Sequence, residues 1–286
     1  MAKRKASDNS VRLKAQQMRE AQQRADRRMR NIVIGLVALV VIAVVATVAV
    51  VIGSQVQKRN NALDLSKAQS DSATMEKANA ALGQYAPGAP IVLTKGGIGT
   101  ADPSLPTLTE YFDYSCHACA DVDVLIGTAL TDDAIAGKYN LELQPVETIG
   151  MEYMAPATSA SLIVAQKDPQ HWVDFHHKLL KFFASQFNKG EGRVIKDTDA
   201  SWKQVQKLAA EAGVSQDIID TFPVDVVSNY LATSTQAWKT APVEGRDPNS
   251  FGTPEYVKDH KTHITLSGKD AQSLANSIRS ELGVAD

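Results

Sequence analysis

The hydrophobic and polar positions divide the chain into three stretches. Residues 32–52 form an unbroken run of 21 residues that contains only Val, Ile, Leu, Ala, one Gly and one Thr. As a helix, at about 1.5 Å per residue, this run is about 31 Å long, close to the hydrocarbon thickness of about 30 Å. Residues 54–84 are polar and alanine-rich, which predicts a helical stalk. From Pro87 onward, strand-like and helical patterns follow one another and predict a globular domain.

Within the globular part the order of the patterns indicates the fold class. Three strand-like runs come first, and a helical block of about residues 151–240 follows them. Two short strand-like runs and a closing helix complete the chain. The order predicts an α/β domain into which an all-helical subdomain is inserted. The strand-like runs are 91–94, 105–114, 139–149, 255–258 and 263–266, and the closing helix is 269–282.

Charge is distributed unevenly along the chain. The formal net charge is -2, yet residues 1–30 hold ten Lys or Arg against three acids, and the remainder holds 20 basic against 29 acidic residues. A basic segment before an apolar run predicts a membrane helix whose N-terminus is cytoplasmic. A cleaved signal peptide is the alternative, but its apolar region is usually about 7–15 residues long and ends at an A-x-A-like site. The acidic remainder argues against nucleic-acid binding.

These patterns predict four segments. They are a basic cytoplasmic tail at 1–30, a single transmembrane helix at 31–53, a stalk or linker at 54–86 and an extracytoplasmic globular domain at 87–286. The composition, with 44% hydrophobic residues and only two cysteines, excludes wholesale disorder and a disulfide-rich miniprotein.

The chain's two cysteines lie in one motif, Cys116-His117-Ala118-Cys119. The motif follows a strand-like run and precedes residues 120–130, which have a helical pattern. Free N–H groups at a helix N-terminus stabilise a thiolate, and in such motifs the thiol pKa falls from about 8.5 to about 3.5–7.5. We therefore expect Cys116 to be a redox nucleophile and Cys119, one helical turn later, to be its resolving partner.

Two other interpretations of the cysteine pair remain open from the residues alone. A purely structural disulfide that closes so short a loop would stabilise the fold by only about 2 kcal/mol. A zinc site would need His171, His176 or His177 to complete the ligand set, and the chain has no second C-x-x-C motif.

Three segments resemble DsbA-type thiol-disulfide oxidoreductases. Residues 108–119 resemble the active-site strand and helix start of that family, and Phe251-Gly252-Thr253-Pro254 resembles its cis-proline loop. Residues 171–180 resemble, more weakly, the helix of its inserted domain. The resemblance covers about residues 90–283 and implies a thioredoxin fold with an inserted helical subdomain.

The resemblance also implies roles for particular residues. Cys116 forms the mixed disulfide with substrate and Cys119 resolves it. Pro254 is cis, against the alternative of an ordinary trans turn, and Thr253 offers its backbone to an extended substrate segment. Glu110 is a partly buried acid that relays the proton of the resolving cysteine, unless it is exposed at a sheet edge.

The dipeptide between the cysteines adjusts the potential in this family, and His-Ala departs from the more common Pro-His. We expect His117 to favour the thiolate, against the alternative of an exposed residue without a tuning role. Asp113 is expected at the surface or as a cap.

The predicted function is a membrane-tethered, extracytoplasmic thiol-disulfide oxidoreductase that forms disulfides in exported proteins. It needs no metal or organic cofactor besides the redox-active pair. Its expected partners are exported proteins with cysteines, the lipid bilayer and a quinone-linked membrane reoxidant of the DsbB or vitamin K epoxide reductase type. The alternatives are a reductase or isomerase of the same fold and a non-catalytic binding module of the cell envelope.

Overall fold

The computed structural model of the chain describes residues 72–249 and 252–284, with side chains from residue 75. The predicted tail at 1–30, the transmembrane helix at 31–53 and the greater part of the stalk lie outside this range. Within it, no helix combines the length and the apolar character that crossing a bilayer requires.

One mixed sheet of six strands organises the described residues, in the order β2-β1-β4-β3-β5-β6. Strands β3 and β4 pair in parallel, and the other pairs are antiparallel. Both central strands are almost wholly buried, as expected where helices cover both faces of a sheet. The strands are β1 Ile91–Thr94, β2 Gly97–Ile98, β3 Thr107–Phe112, β4 Asn140–Pro145, β5 Glu255–Lys258 and β6 Thr262–Ile264.

The helices follow the predicted order. The block between β4 and β5 is helical, which confirms an inserted helical subdomain, and α5 buries Trp172, Phe175 and Phe183 along one face. The helices are α1 Ser72–Leu82, α2 His117–Val122, α3 Thr128–Ile135, α4 Met154–Lys167, α5 Pro169–Asn188, α6 Thr198–Glu211, α7 Gln216–Ile219, α8 Ser228–Thr240 and α9 Ala271–Leu282.

The folded unit begins before the predicted boundary at residue 87. Leu82, at the end of α1, is 1% exposed and Tyr85 is 2% exposed, and both belong to the hydrophobic core. The C-terminal part of the predicted stalk is therefore part of the domain. The Ala-rich and polar sequence of α1 hid this packing, because Leu82 is the one fully buried residue among 75–82.

The helical pattern at 120–130 is divided by a wider turn. Between α2 and α3, Asp123–Gly127 forms a π-helical turn. A side chain at Gly127 would bring its Cβ to 3.0 Å from Cε1 of His177 and into contact with the carboxylate of Asp123. This tight packing explains why glycine stands there, and π turns of this kind are frequent at functional sites.

Candidate active site

The C-x-x-C motif lies where β3 gives way to α2. Cys116 is the N-cap residue of α2 with extended backbone angles, φ −92° and ψ 119°, and its carbonyl accepts from the N–H of Ala120 at 3.1 Å. Cys119 follows one turn later and is completely buried, whereas Cys116 is 5% exposed. Both are free thiols. The extended residue before the helix leaves the sulfur of Cys116 beside the free N–H groups of the first turn.

The two sulfurs have opposite acidities. The pKa of Cys116 is lowered to about 6, chiefly by the hydrogen bond from the side chain of Cys119, while burial opposes the shift. The N–H of Cys119 and the side chain of Thr253 lower it further, and the charge of Asp113 raises it. Burial, followed by the hydrogen bond to Cys116, raises the pKa of Cys119 well above its usual value. At neutral pH the pair is therefore a thiolate beside a thiol that donates to it.

The Thr253–Pro254 peptide bond is cis, as the resemblance implied. When Cys116 is protonated, the carbonyl oxygen of Thr253 accepts from its thiol at 3.3 Å, although 137 positions separate the two residues. This loop therefore lies directly against the redox pair. Phe251, the first residue of the matched loop motif, lies outside the described residues.

Asp113 is buried beneath the redox motif, and the expectation of a surface residue is wrong. Its side chain is 0% exposed. One carboxylate oxygen accepts from the N–H of Ser115 at 2.7 Å and from its hydroxyl at 2.6 Å. The other accepts from the N–H groups of Thr148 and Ile149, both at 2.8 Å, and from the hydroxyl of Thr148 at 3.1 Å. The sequence signal was an Asp after an apolar strand with Ser two positions on, a pattern typical of an Asx turn.

Glu110 is buried in β3, as strand parity predicted, and is not an exposed edge residue. It is 7% exposed and forms a hydrogen bond with Tyr256 on the neighbouring strand β5. Burial, and secondly the charge of Asp123, raise the pKa of Glu110 to about 8. Burial raises the pKa of Tyr256 well above its usual value, and the ionised forms of Glu110 and Cys119 would raise it further, so the acid and the resolving cysteine lie in one electrostatic environment. At neutral pH Glu110 holds a proton.

A buried cluster that the sequence analysis did not assemble extends behind Glu110. Asp123 accepts from Nδ1 of His177 at 2.8 Å, and Nε2 of His176 lies 3.8 Å from the same oxygen. Burial raises the pKa of Asp123, although His177 opposes the shift. Burial also lowers the pKa of His176 well below its usual value, so this ring is neutral. His171, the third histidine that the sequence offered as a ligand, pairs instead with Asp168 at 2.7 Å.

The ligand atoms of Asp123, His176 and His177 lie within 4.8 Å of one another, a spacing that a metal ion would accept. Each ring already has protein partners. Nδ1 of His176 contacts the hydroxyl of Tyr114 at 2.8 Å, and Nε2 of His177 contacts the hydroxyl of Thr131 at 3.2 Å. These bonds use the nitrogen of each ring that does not face Asp123, and the group within 4.8 Å includes neither cysteine.

His117 lies on the exposed side of α2. Its ring stacks on that of Phe187 near the end of α5, with the ring centres 4.6 Å apart and the planes 11° from parallel. Phe187 is itself 46% exposed. The stack fixes the position of the imidazole at the surface, beside the more exposed sulfur.

Solved structures with a similar fold are thiol-disulfide oxidoreductases. The protein MdbA from Actinomyces oris matches with a TM-score of 0.52 and 20% sequence identity, over 62% of this chain and 81% of that one. BdbD from Bacillus subtilis matches with a TM-score of 0.47 and 19% identity, over 68% of this chain and 94% of its own. No family model and no curated protein matches the sequence.

The described part of the chain has a DsbA-like thioredoxin fold. The inserted helices and the cis-proline loop beside a C-x-x-C helix start are features that the resemblance had implied. At this level of identity the likeness establishes the fold, and the chemistry of this DsbA-like domain depends on its own residues.

Proposed function

We propose that the chain is a membrane-tethered, extracytoplasmic thiol-disulfide oxidoreductase that introduces disulfides into exported proteins. The observation that carries the proposal is the juxtaposition of Cys116, Cys119 and the Thr253 carbonyl. A nucleophilic sulfur at a helix start has its resolving partner one turn away and a backbone acceptor at 3.3 Å. This arrangement suits thiol-disulfide exchange, in which one thiolate attacks and a second sulfur resolves the mixed disulfide.

The direction of the reaction follows from which state of the pair is stabilised. A thiolate at Cys116 exists only in the reduced pair, so each contact that lowers its pKa stabilises the reduced form relative to the disulfide. A stabilised reduced form makes the disulfide a stronger oxidant. The lowered pKa of Cys116 shifts the potential of the pair in the oxidising direction, and the reduction potential itself decides between oxidation and the reductase and isomerase alternatives.

In the oxidising cycle the pair begins as the Cys116–Cys119 disulfide. A substrate thiolate attacks the sulfur of Cys116, which forms the mixed disulfide and releases Cys119 as a thiolate. The second substrate thiolate then attacks the substrate sulfur of the mixed disulfide and releases Cys116. The substrate has lost two electrons to the pair, and its disulfide leaves.

Glu110 suits the proton transfer in this cycle. Cys119 is completely buried, so the thiolate that it forms on release is costly unless a proton is supplied. Glu110 is protonated at neutral pH because its pKa is raised to about 8. It gives a proton to the departing sulfur and takes it back when the pair is reoxidised.

The loop before β5 suits the binding of substrate. A carbonyl next to the reactive sulfur pairs with the N–H of an extended segment, as an added strand would. Thr253 would align the substrate cysteine with Cys116 in this way, and Pro254 would hold the loop in the shape that permits the approach.

The location and the partners come from the sequence. The apolar run at 32–52 and the basic residues before it support a membrane anchor with the redox domain outside the cytoplasm. Each turnover leaves a dithiol, so a partner must remove two electrons. A quinone-linked membrane protein of the DsbB or vitamin K epoxide reductase type has the required chemistry.

The test is to refold reduced, unfolded ribonuclease with the full chain in detergent and glutathione disulfide as terminal oxidant. The wild-type chain is expected to accelerate the return of ribonuclease activity, and Cys116→Ser is expected to abolish the acceleration. Cys119→Ala is expected to accumulate a mixed disulfide with ribonuclease that reductant releases.

Thr94→Val is the matched control, because it deletes a hydroxyl that bonds Gly97 in the hairpin of β1 and β2. It should behave as wild type. Full activity in Cys116→Ser would contradict the proposal, and so would the absence of any mixed disulfide in Cys119→Ala, which would favour the binding-module alternative.

A further inference from the structure

Three separate loops meet at the redox pair, and Asp113 contacts two of them directly. The first loop, residues 113–116, connects β3 to α2 and carries Cys116. The second, residues 146–150, follows β4. The third contains Thr253 and precedes β5. The hydrogen bond between the first and second loops joins Asp113 to Thr148, 35 positions apart in the sequence. The bond between the second and third joins Thr148 to Thr253, 105 positions apart.

The carboxylate of Asp113 joins the first two loops from beneath. All five of its contacts are with N–H or O–H groups that donate, so both oxygens act only as acceptors. Since the side chain is 0% exposed, water does not compete for these bonds. Bonds of this charge-assisted kind are stronger than those between neutral groups.

Thr148 extends the connection to the third loop. Its hydroxyl donates to Asp113 at 3.1 Å and lies 2.8 Å from the hydroxyl of Thr253. Either of the two threonine hydroxyls can donate in this contact. Asp113, Thr148 and Thr253 thereby form one chain of contacts between the three loops. At its far end, the carbonyl of Thr253 contacts the sulfur of Cys116.

We propose that Asp113 is a positioning residue that holds the substrate-binding Thr253–Pro254 loop against the redox pair through the hydroxyl of Thr148. The inference rests on the proposed function, in which this loop receives the substrate. Asp113 itself contacts neither substrate nor the bond that is exchanged. It acts by holding the acceptor carbonyl of Thr253 close to the sulfur of Cys116.

The test compares six full-length chains in detergent: wild type, Thr148→Val, Asp113→Asn, the double variant and two controls. Thr148→Val retains the size of the side chain and the N–H that bonds Asp113, and removes only the hydroxyl. Thr148→Ser restores the hydroxyl and serves as the conservative rescue. Thr94→Val again controls for the loss of a threonine hydroxyl elsewhere.

The first readout does not depend on activity. Amide hydrogen exchange at Gly252 and Thr253, followed by mass spectrometry, is expected to be about two- to tenfold faster in Thr148→Val, the factor that one net hydrogen bond supplies. Thr148→Ser and Thr94→Val should exchange at the wild-type rate. Because the two residues act in one chain of bonds, the double variant should exchange no faster than the faster single variant.

The second readout is turnover of a reduced two-cysteine peptide with glutathione disulfide as oxidant. Thr148→Val should raise KM by a similar factor and leave kcat unchanged, since it weakens the binding loop and leaves both sulfurs intact. Wild-type exchange and KM in Thr148→Val would overturn the inference, as would additive effects in the double variant. An inactive wild-type chain would contradict the proposed function alone, because the exchange rates would still decide the role of Asp113.

Discussion

The two sides of the redox pair differ more than their separation by one helical turn suggests. On the side of Cys116 lie an exposed His117, the carbonyl of Thr253 and polar donors. On the side of Cys119 lie a protonated Glu110 and a buried cluster of Asp123, His176 and His177. At the Cys116 side, the front of the site, the hydrogen bond from Cys119 favours a thiolate, and at the Cys119 side, the rear, burial favours a thiol. Neighbouring residues therefore acquire the distinct roles of nucleophile and resolving group from their surroundings.

Alkylation of the reduced chain gives the largest expected difference between the two sides. With a pKa of about 6, Cys116 is mostly thiolate at pH 7, whereas Cys119 stays protonated. Iodoacetamide should modify Cys116 at least about a hundredfold faster than Cys119, since only the thiolate reacts. Peptide mass spectrometry against time measures both rates, and the rate at Cys116 should reach half its maximum near pH 6.

Cys119→Ala provides the control for that profile, because the hydrogen bond from Cys119 is the main cause of the lowered pKa. The midpoint should move upward in this variant. Comparable rates at both cysteines, or a midpoint near pH 9 in the wild-type chain, would remove the distinction between the two sides.

Glu110→Gln tests the rear of the site and has the next largest effect. The unfolded chain ionises Glu110 from about pH 4.5, but the folded chain only near pH 8. The free energy of unfolding of the wild type therefore falls as the pH rises between these values. That of the variant does not, because the substituted glutamine has no carboxyl group to ionise. At one pKa unit per 1.36 kcal/mol, the variant should be about 3 kcal/mol more stable at pH 7 and equal to wild type below about pH 4.5.

Thermal unfolding from pH 4 to 9 measures this difference, with the exposed Glu281→Gln as control. The same variant should release Cys119 more slowly in turnover, because the proton donor is gone. A Glu110→Gln chain that is destabilised equally at every pH would show that the carboxyl is not protonated in the folded state.

Phe187→Ala tests the front and should have the smallest effect. It removes a stack on His117 between two exposed rings, which is expected to cost about 0.5–1.5 kcal/mol at most. Solvent screens exposed groups, so we expect the pKa of Cys116 to change by less than about half a unit. Thiolate absorbance near 240 nm against pH measures it, with His117→Ala as the comparison. A shift of more than one unit would assign the stacked imidazole a direct role at the sulfur.

The sequence predicted the elements that depend on local order. The cysteine motif after a strand, the cis-proline loop and the inserted helices follow from residue order, from periodicity and from the family resemblance. The parity of β3 also placed Glu110 on a buried face. What could not be predicted depends on contacts between distant residues. Asp113 meets Thr148 across 35 positions, and Asp123 meets His177 across 54.

The same limit applies to the beginning of the domain. Leu82 and Tyr85 look like stalk residues in sequence because they lie among small and polar residues, and packing against α4 makes them core. The π turn at Asp123–Gly127 was not predicted either, because a hydrophobic pattern with a period of 3.6 residues does not reveal one inserted residue.

The reduction potential of the Cys116–Cys119 pair tests the central claim most directly. The full chain is equilibrated with glutathione buffers of known ratio, and the fraction of reduced pair is read from alkylated peptides. The proposed role as an oxidant predicts a potential of about -150 mV or higher, on the side of strong oxidants. A value near about -270 mV, typical of thioredoxin-like reductants, would contradict the account, as would a pair that does not exchange with glutathione.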